Sequence, residues 1–234
     1  EGMRVASGLP SVFVTYAPLH RPDEASAVLR ACARYEGFRG VRFMLDFDPD
    51  QPRLNQTDSG EYMSRNDAFQ LGTKLVEELG LVFELQVCQC QLAEAADFAS
   101  RFPRLQFVLN HAGFPLRGGE QQWRAGIEAL AKHDRVCVKI GGLGCYDHAE
   151  QPWSQAEIDA AVAVVLDAFG VDRSMFASNL PVDLIDHDNP VERYAVYVAA
   201  TRAWLRARDA PAQDDALVFR KLFRDNAIKV YDIK

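Results

Sequence analysis

One histidine stands directly after an apolar run near the middle of the chain. The run is LQFVL at 105–109, Pro103 precedes it, and Gly113 and Pro115 follow His111 closely. A short run that is apolar on both faces is typical of a strand in a parallel sheet covered on both sides. Residues just past the carboxyl ends of such strands carry the chemistry of many α/β proteins. His111 is therefore the first candidate for catalysis, and a purely structural histidine at a strand end is the alternative.

Two basic residues interrupt other strand-like runs. Arg42 lies within GVRFML at 40–45, and Lys139 lies within VCVKI at 136–140. A charge inside an apolar strand costs free energy unless it is paired or faces a polar cavity. Each side chain must therefore meet either a carboxylate inside the protein or a ligand, and the pattern leaves both alternatives open.

Polar side chains also follow two further predicted strands. Gln86 stands near the end of LVFELQV, and Asn179 and Asp183 follow RSMFAS in the segment SNLPVD. The carboxyl ends of parallel strands meet at the same edge of a sheet or barrel. We expect this edge to collect the candidate side chains, which are Gln86, His111, Asn179 and Asp183, together with Arg42 and Lys139 if these two point inward.

Three patterns that could bind metal or phosphate lack the rest of their motif. Cys88 and Cys90 are separated by one residue and have no second pair at metal-ligand spacing. The aspartates of DFDPD at 46–50 are not followed by the glutamate of a calcium loop, so a solvated turn is favoured. The glycines of GGLG at 141–144 lack a following Lys-Ser/Thr, which argues against a nucleotide site.

Helix signals separate the predicted strands. Asn66 is placed to cap one helix, and Ser154 with Glu157 three residues later forms a capping box for another. A last helix is predicted to end at roughly Asp225–Asn226. Strand and helix then alternate six times without a hairpin, which is typical of parallel βαβ units.

Two α/β layouts fit this alternation, an open doubly wound sheet and a (β/α)₈ TIM barrel. A barrel needs eight units and typically about 250 residues. Six units in 234 residues fit a barrel whose first two strands are absent from this chain. We expect residues 1–234 to form a single, partial TIM-barrel domain.

The composition excludes several classes of partner. A formal charge of −7 argues against nucleic acid and anionic membranes as standing partners. No apolar run approaches the roughly 20 residues that span a bilayer. The five cysteines are odd in number and several lie in strand-like runs, which indicates reduced thiols and a cytoplasmic protein.

An ordered set of segments carries a family resemblance over nearly the whole chain. The segments are RGVRFML, FELQVCQCQL, FVLNHAGFP, VCVKIGGL, DRSMFASNLPVD and LFRDNAIKVYDI. In order and spacing they resemble the amidohydrolase-2 branch of the amidohydrolase superfamily. Within it they are most similar to sugar-lactone (rhamnono- and fucono-) lactonases and 2-pyrone-4,6-dicarboxylate lactonases.

This resemblance implies a (β/α)₈ hydrolase that opens a lactone ring, with roles for several residues. His111 matches a strand-end histidine that contacts metal or the substrate carbonyl, Arg42 a substrate-binding arginine, and Gln86 a residue lining the pocket. Asn179 stands where many members carry the aspartate that activates water, and an amide cannot take that proton. Asp183 is the candidate replacement. The H-x-H pair of the family's first strand occurs nowhere in this sequence.

The expected reaction is water attack on a lactone carbonyl in carbohydrate metabolism. His111, Arg42 and Lys139 would surround the carbonyl and a substrate carboxylate, and Asp183 or a residue outside this chain would take the proton.

No definite cofactor is predicted. A divalent metal such as zinc stays open, with His111 as the one candidate ligand in the sequence, and so does a homo-oligomer. The alternatives are a metal-dependent decarboxylase or hydratase of the same superfamily and a barrel that binds without catalysis.

Overall fold

A computed structural model of the chain describes residues 11–145, 152–182, 190–209 and 212–234. Asp183, one of the predicted site residues, lies outside the described residues. Within them, no helix is both long and apolar enough to cross a bilayer.

Six parallel strands form one sheet whose order follows the chain from β1 to β6. The strands are β1 (Phe13–Thr15), β2 (Phe38–Met44), β3 (Val82–Gln86), β4 (Gln106–Leu109), β5 (Val136–Ile140) and β6 (Ser174–Phe176). A doubly wound sheet reverses its strand order at a switch point, whereas the strands of a barrel follow one another around it. The described strands follow the barrel order, and the predicted TIM-barrel fold class is confirmed as a partial (β/α) barrel.

Helices alternate with these strands along the chain. They are α1 (Pro22–Cys32), α2 (Tyr62–Arg65), α3 (Asp67–Glu78), α4 (Leu92–Ser100), α5 (Glu120–Ala131), α6 (Gln155–Phe169), α7 (Pro190–Arg206), α8 (Ala212–Arg220) and α9 (Asn226–Tyr231). Short 3₁₀ turns lie at Pro52–Leu54, Gln89–Gln91 and Val171–Arg173, and a π-helical turn, Lys221–Asp225, joins α8 to α9. The segment Asn110–Gly113 is a tight turn in which His111 and Ala112 have left-handed backbone angles.

The local capping predictions are confirmed, but the predicted end of the last helix is wrong. The Asn66 side chain accepts a hydrogen bond from the Phe69 backbone, and Ser154 and Glu157 form a reciprocal capping box. Asn226 does not end the last helix. Its Nδ2 donates to the backbone carbonyls of Val171 and Ser174 at 2.7 and 2.6 Å, so the amide is satisfied inside the fold and the chain continues as helix.

The two faces of the sheet differ in what covers them. The outer face packs under the helices through residues that include Val41, Phe43, Phe83, Leu85, Phe107, Leu109, Val138 and Ile140. The inner face carries a smaller apolar cluster made by Val82, Val108, Cys137 and Met175 against Tyr231 of α9. Because side chains alternate along a strand, residues two positions further on in β3 and β5 also point inward. These residues are Glu84 and Lys139.

Lys139 meets a carboxylate within the protein. Its ammonium lies 2.5 Å from Glu84 Oε1 and 5.1 Å from the centre of the Tyr231 ring, while the Tyr231 hydroxyl donates to the same oxygen at 2.6 Å. Burial alone would raise the pKa of Glu84. The Lys139 charge and the hydrogen bonds from Lys139 and Tyr231 outweigh it and hold that pKa below its ordinary value. Of the two alternatives for Lys139, the structure shows the pairing with a carboxylate inside the protein. The predicted role of Lys139 in substrate binding stays a prediction.

Lys139→Met is expected to destabilise the fold strongly, because it leaves the Glu84 carboxylate buried without its cation. Breaking a buried ion pair by removing one partner costs about 3–5 kcal/mol. The double variant Lys139→Met/Glu84→Gln removes both charges and should recover most of that loss. Urea unfolding of the three proteins measures the effect. Equal midpoints for the single variant and the parent protein would contradict it.

Candidate active site

The turn after β4 holds His111 in an unusual backbone conformation. Four successive residues have positive φ angles, which are 53° at His111, 50° at Ala112, 69° at Gly113 and 49° at Phe114. Non-glycine residues in this region cost about 1–3 kcal/mol each and persist where the surroundings hold them. Trp123 supplies one such restraint, because its Nε1 donates to the Ala112 carbonyl at 2.7 Å. The strained turn directs the His111 ring to a defined place at the carboxyl edge of the sheet.

The contacts of the His111 ring determine which nitrogen carries the proton. Nδ1 lies 3.0 Å from the Gly141 carbonyl oxygen, which can only accept, so Nδ1 is the donor. Nε2 lies 3.4 Å from Nη2 of Arg42, which can only donate, so Nε2 is the acceptor. The ring of Phe114 covers one side at a centroid distance of 4.8 Å. These contacts favour the tautomer of His111 with its proton on Nδ1 and its lone pair on Nε2, facing a guanidinium.

Arg42 is held in turn by a chain of polar contacts that ends at a buried carboxylate. Gln86 Oε1 accepts from Arg42 Nε at 3.1 Å and also from Nη2, and Gln86 Nε2 donates to Asp46 Oδ2 at 2.6 Å. Gln86 and Asp46 are both buried. The two strand charges thus have different environments, since Arg42 contacts a neutral amide and an imidazole whereas Lys139 contacts a carboxylate.

Asn179 approaches His111 across the glycine turn that follows β5. Asn179 has a φ of 52° in the loop after β6, and Gly142 has a φ of 62°. A Cβ placed on Gly142 would lie 2.9 Å from His111 Nδ1 and 3.0 Å from Asn179 Nδ2. The structure therefore brings four predicted residues to one edge of the sheet, which are Arg42, Gln86, His111 and Asn179.

Gly142→Ala tests how closely that edge is packed. The added methyl group must displace the His111 ring or the Asn179 amide, because the distances are shorter than Cβ atoms normally make. We expect about a 100-fold loss of turnover, the effect of misplacing a reacting group by about 1 Å. Gly80→Ala is the matched control, since Gly80 has a similar φ of 65° and a Cβ there meets nothing within 4 Å. If the two variants lose similar stability but only Gly142→Ala loses activity, the close packing of His111 and Asn179 around Gly142 is supported. Equal activities of the two variants would contradict it.

Two buried polar residues of this region, Asp46 and Asn110, were not identified as site residues from the sequence. The prediction that the aspartates at 46–50 form a solvated turn is wrong for Asp46 and Asp48, which are 0% and 6% exposed. Asn110, which precedes His111, is 1% exposed, and neither polar atom of its side chain has a hydrogen-bond partner among the described residues. Asp46 follows an apolar strand within two residues, much as His111 and Asn179 follow theirs, and that position was the available signal.

The buried Asp46 carboxyl should make stability depend on pH. Burial raises its pKa from 3.8 to about 6, against the lowering effects of the Gln86 hydrogen bond and the Arg42 charge. The folded state then binds more protons than the unfolded state between about pH 4 and pH 6. The free energy of unfolding should therefore fall by roughly 3 kcal/mol as pH rises through that window. Urea unfolding of Asp46→Asn should lack this component, and parallel pH profiles for the two proteins would contradict it.

The amidohydrolase family model matches residues 6–233, which is nearly the whole chain. The chain belongs to the amidohydrolase family. Among curated relatives, this amidohydrolase is 34% identical to "Uncharacterized protein y4mH" of Sinorhizobium fredii, over 78% of the chain and 60% of the relative. It is 27% identical to an L-fucono-1,5-lactonase of Burkholderia ambifaria, over 79% of the chain and 57% of the relative. The chain thus spans less than two thirds of the length of these relatives.

Solved structures share the fold of this amidohydrolase. An amidohydrolase of Burkholderia multivorans with bound zinc has a TM-score of 0.81 at 22% identity, over 100% of this chain and 77% of that one. A Pseudomonas putida protein whose name refers to 2-pyrone-4,6-dicarboxylic acid hydrolase has a TM-score of 0.63 at 18% identity, covering 95% and 82%. A manganese-bound dihydroxybenzoic acid decarboxylase of Polaromonas has a TM-score of 0.56 at 16% identity, covering 98% and 72%. At these identities the likeness concerns the fold.

The described residues of this amidohydrolase do not fit a divalent metal at His111. Over the described ranges, no group of three or more His, Cys, Asp or Glu side chains is arranged to hold an ion. Nδ1 of His111 is engaged by the Gly141 carbonyl, and Nε2 faces the positive charge of Arg42. A second cation at Nε2 would be repelled by the guanidinium. Zinc is bound in the Burkholderia multivorans structure, and for this chain a metal stays a prediction.

Proposed function

We propose that this amidohydrolase opens the ring of a small lactone by attack of water on the ring carbonyl. The observation that carries the proposal is the pairing of the Arg42 guanidinium with the acceptor nitrogen of His111, 3.4 Å apart, at the carboxyl edge of the sheet. The pair combines a fixed positive donor with a neutral base. Ester hydrolysis needs a group of each kind. The lactonase names among the relatives support the same reaction.

Arg42 would polarise the carbonyl. A guanidinium presents several N–H donors in a fixed plane, and donors aimed at a developing oxyanion stabilise the transition state more than the ground state. Gln86 holds Nε and Nη2 of this guanidinium, so its plane is oriented before substrate arrives. The same donors suit the carboxylate of the hydroxy-acid product.

His111 would take the proton of the attacking water. Its Nδ1 proton is committed to the Gly141 carbonyl, which leaves Nε2 as the basic atom. When the substrate carbonyl oxygen replaces Nε2 as the acceptor for Arg42, Nε2 can accept a proton from water as the new C–O bond forms. Collapse of the tetrahedral intermediate breaks the ring C–O bond, and the leaving alkoxide takes the proton back from the imidazolium. From the sequence, Asp183 or a residue outside this chain was expected to take the proton, and His111 now joins these candidates.

A panel of substrates tests the proposed reaction. We expect proton release from five- and six-membered sugar-acid lactones or a pyrone dicarboxylate at rates well above spontaneous hydrolysis, and no CO₂ release from dihydroxybenzoate. CO₂ release without lactone opening would overturn the proposal in favour of the decarboxylase that shares the fold. Binding of lactones without turnover would overturn it in favour of a binding barrel.

A further inference from the structure

Building on the proposed lactone hydrolysis, we propose that Asp46 is a positioning residue for Arg42 and acts through Gln86. The Asp46 carboxylate selects the orientation of the Gln86 amide, and that orientation presents the amide oxygen to the guanidinium. Asp46 would touch neither substrate nor water.

The argument begins with the asymmetry of an amide. A side-chain amide has a donating end and an accepting end, and it can rotate by half a turn to exchange them. An ionised carboxylate only accepts and a guanidinium only donates. Gln86 therefore has one orientation that satisfies both neighbours, with Nε2 at 2.6 Å from Asp46 Oδ2 and Oε1 at 3.1 Å from Arg42 Nε. In the other orientation the NH₂ group would face Arg42 and the oxygen would face Asp46.

The backbone around Asp46 is held as firmly as its side chain. The buried Gln91 amide donates to the Leu45 carbonyl at 2.9 Å and accepts from the backbone N–H groups of Phe47 and Cys88, each at 3.0 Å. It thus joins the chain on both sides of Asp46 to the segment that follows β3. Gln91 is 6% exposed and all three contacts are internal. The carboxylate is therefore placed by a rigid frame, which a positioning role requires.

Burial of the Asp46 carboxylate costs free energy, and a purely structural role does not account for that cost. Its side chain is 0% exposed, and Oδ1 has no hydrogen-bond partner among the described residues. Burial also raises its pKa to about 6. A neighbouring buried aspartate, Asp48, accepts from the Asp50 backbone at 2.9 Å and from the Gln51 amide at 3.4 Å, as a turn residue does. Asp46 instead directs its hydrogen-bonded oxygen at the residue that holds Arg42.

The test replaces Asp46 in two ways and reads the Arg42–His111 contact directly. Asp46→Ala removes the acceptor, so Gln86 can rotate and Arg42 loses its alignment. Asp46→Asn keeps an acceptor for Gln86 Nε2 and should restore the contact. ¹⁵N NMR of His111 reports the contact without any substrate. In Asp46→Ala the Nε2 resonance should move to the position of an imidazole nitrogen that accepts no hydrogen bond, and in Asp46→Asn it should stay near its parent position.

Kinetics provide the second readout. For Asp46→Ala we expect kcat/KM for a lactone to fall by about 10- to 100-fold, the size of effect that a misplaced binding group produces. Asp46→Asn and the matched control Asp48→Ala should stay near the parent value. Asp48 is also buried and lies two residues away, but it makes no described contact with Gln86.

The outcomes separate the two proposals. An unchanged Nε2 resonance in a folded Asp46→Ala protein overturns the positioning role, as does an equal loss in Asp48→Ala. If the resonance moves as expected while the parent protein opens no lactone, the positioning role stands and the lactonase proposal fails.

Discussion

His111→Ala is expected to lower kcat/KM for lactone opening by about 10²- to 10⁴-fold, the contribution of a positioned general base. The ring offers a single basic nitrogen, because Nδ1 is committed to the Gly141 carbonyl and only Nε2 can take a proton. The measurement is the initial rate of proton release from a lactone at several substrate concentrations.

The left-handed backbone at position 111 determines which substitution removes the imidazole with the least loss of stability. Its φ of 53° is tolerated by asparagine better than by alanine. His111→Asn should therefore keep the stability of the parent while losing the activity, whereas His111→Ala should lose some of both. His133→Ala is a matched control, because His133 precedes β5 at the opposite edge of the sheet. An active His111→Asn protein would show that the imidazole is not the base.

Arg42→Met is expected to lower kcat/KM by about 10²- to 10³-fold, the effect of removing one oxyanion donor. The change also leaves Gln86 Oε1 without the two donors it accepts from. Arg42→Lys keeps the charge but not the planar fork, so it should recover only part of the activity. Substrate-concentration dependence of the rate distinguishes a loss in kcat from a rise in KM.

A second arginine on β2 provides the control for Arg42→Met. Arg39 also lies on β2, but its Nε donates to the Asp232 backbone carbonyl at 3.3 Å, away from His111. Arg39→Met should change stability without a comparable loss of turnover. Equal losses of turnover in Arg39→Met and Arg42→Met would indicate a general effect of weakening β2 and contradict the assigned role of Arg42.

Much of the fold follows from local patterns. The apolar run before His111, the alternation of strand and helix, the Asn66 cap and the Ser154–Glu157 capping box each depend on residues within a few positions of one another. Such signals are decided by backbone sterics and local hydrogen bonds, so they can be identified without knowing the packing. Together with the ordered family segments, they were sufficient to predict a partial amidohydrolase barrel.

Other features depended on contacts between distant segments. Lys139 and Glu84 are 55 residues apart, and Gln86 and Asp46 are 40 residues apart. A charged residue in a strand has the same local signature whether it meets a carboxylate, as Lys139 does, or an imidazole, as Arg42 does. The last helix was predicted to end too early for the same reason, since only packing against Val171 and Ser174 satisfies Asn226 within it.

The sequence by itself determined the strand-end position of His111, and the tertiary structure decided which ring nitrogen faces an acceptor and which faces a donor. The Gly141 carbonyl directly follows β5 and the Arg42 guanidinium lies on β2, and only their approach to the ring makes Nδ1 the donor and Nε2 the acceptor. Asp46 was predicted to be solvated, but the packing of the strands buries it at the end of the polar chain that holds Arg42. Hydrogen bonding is directional and short-ranged, so these assignments exist only once the strand ends have been brought together.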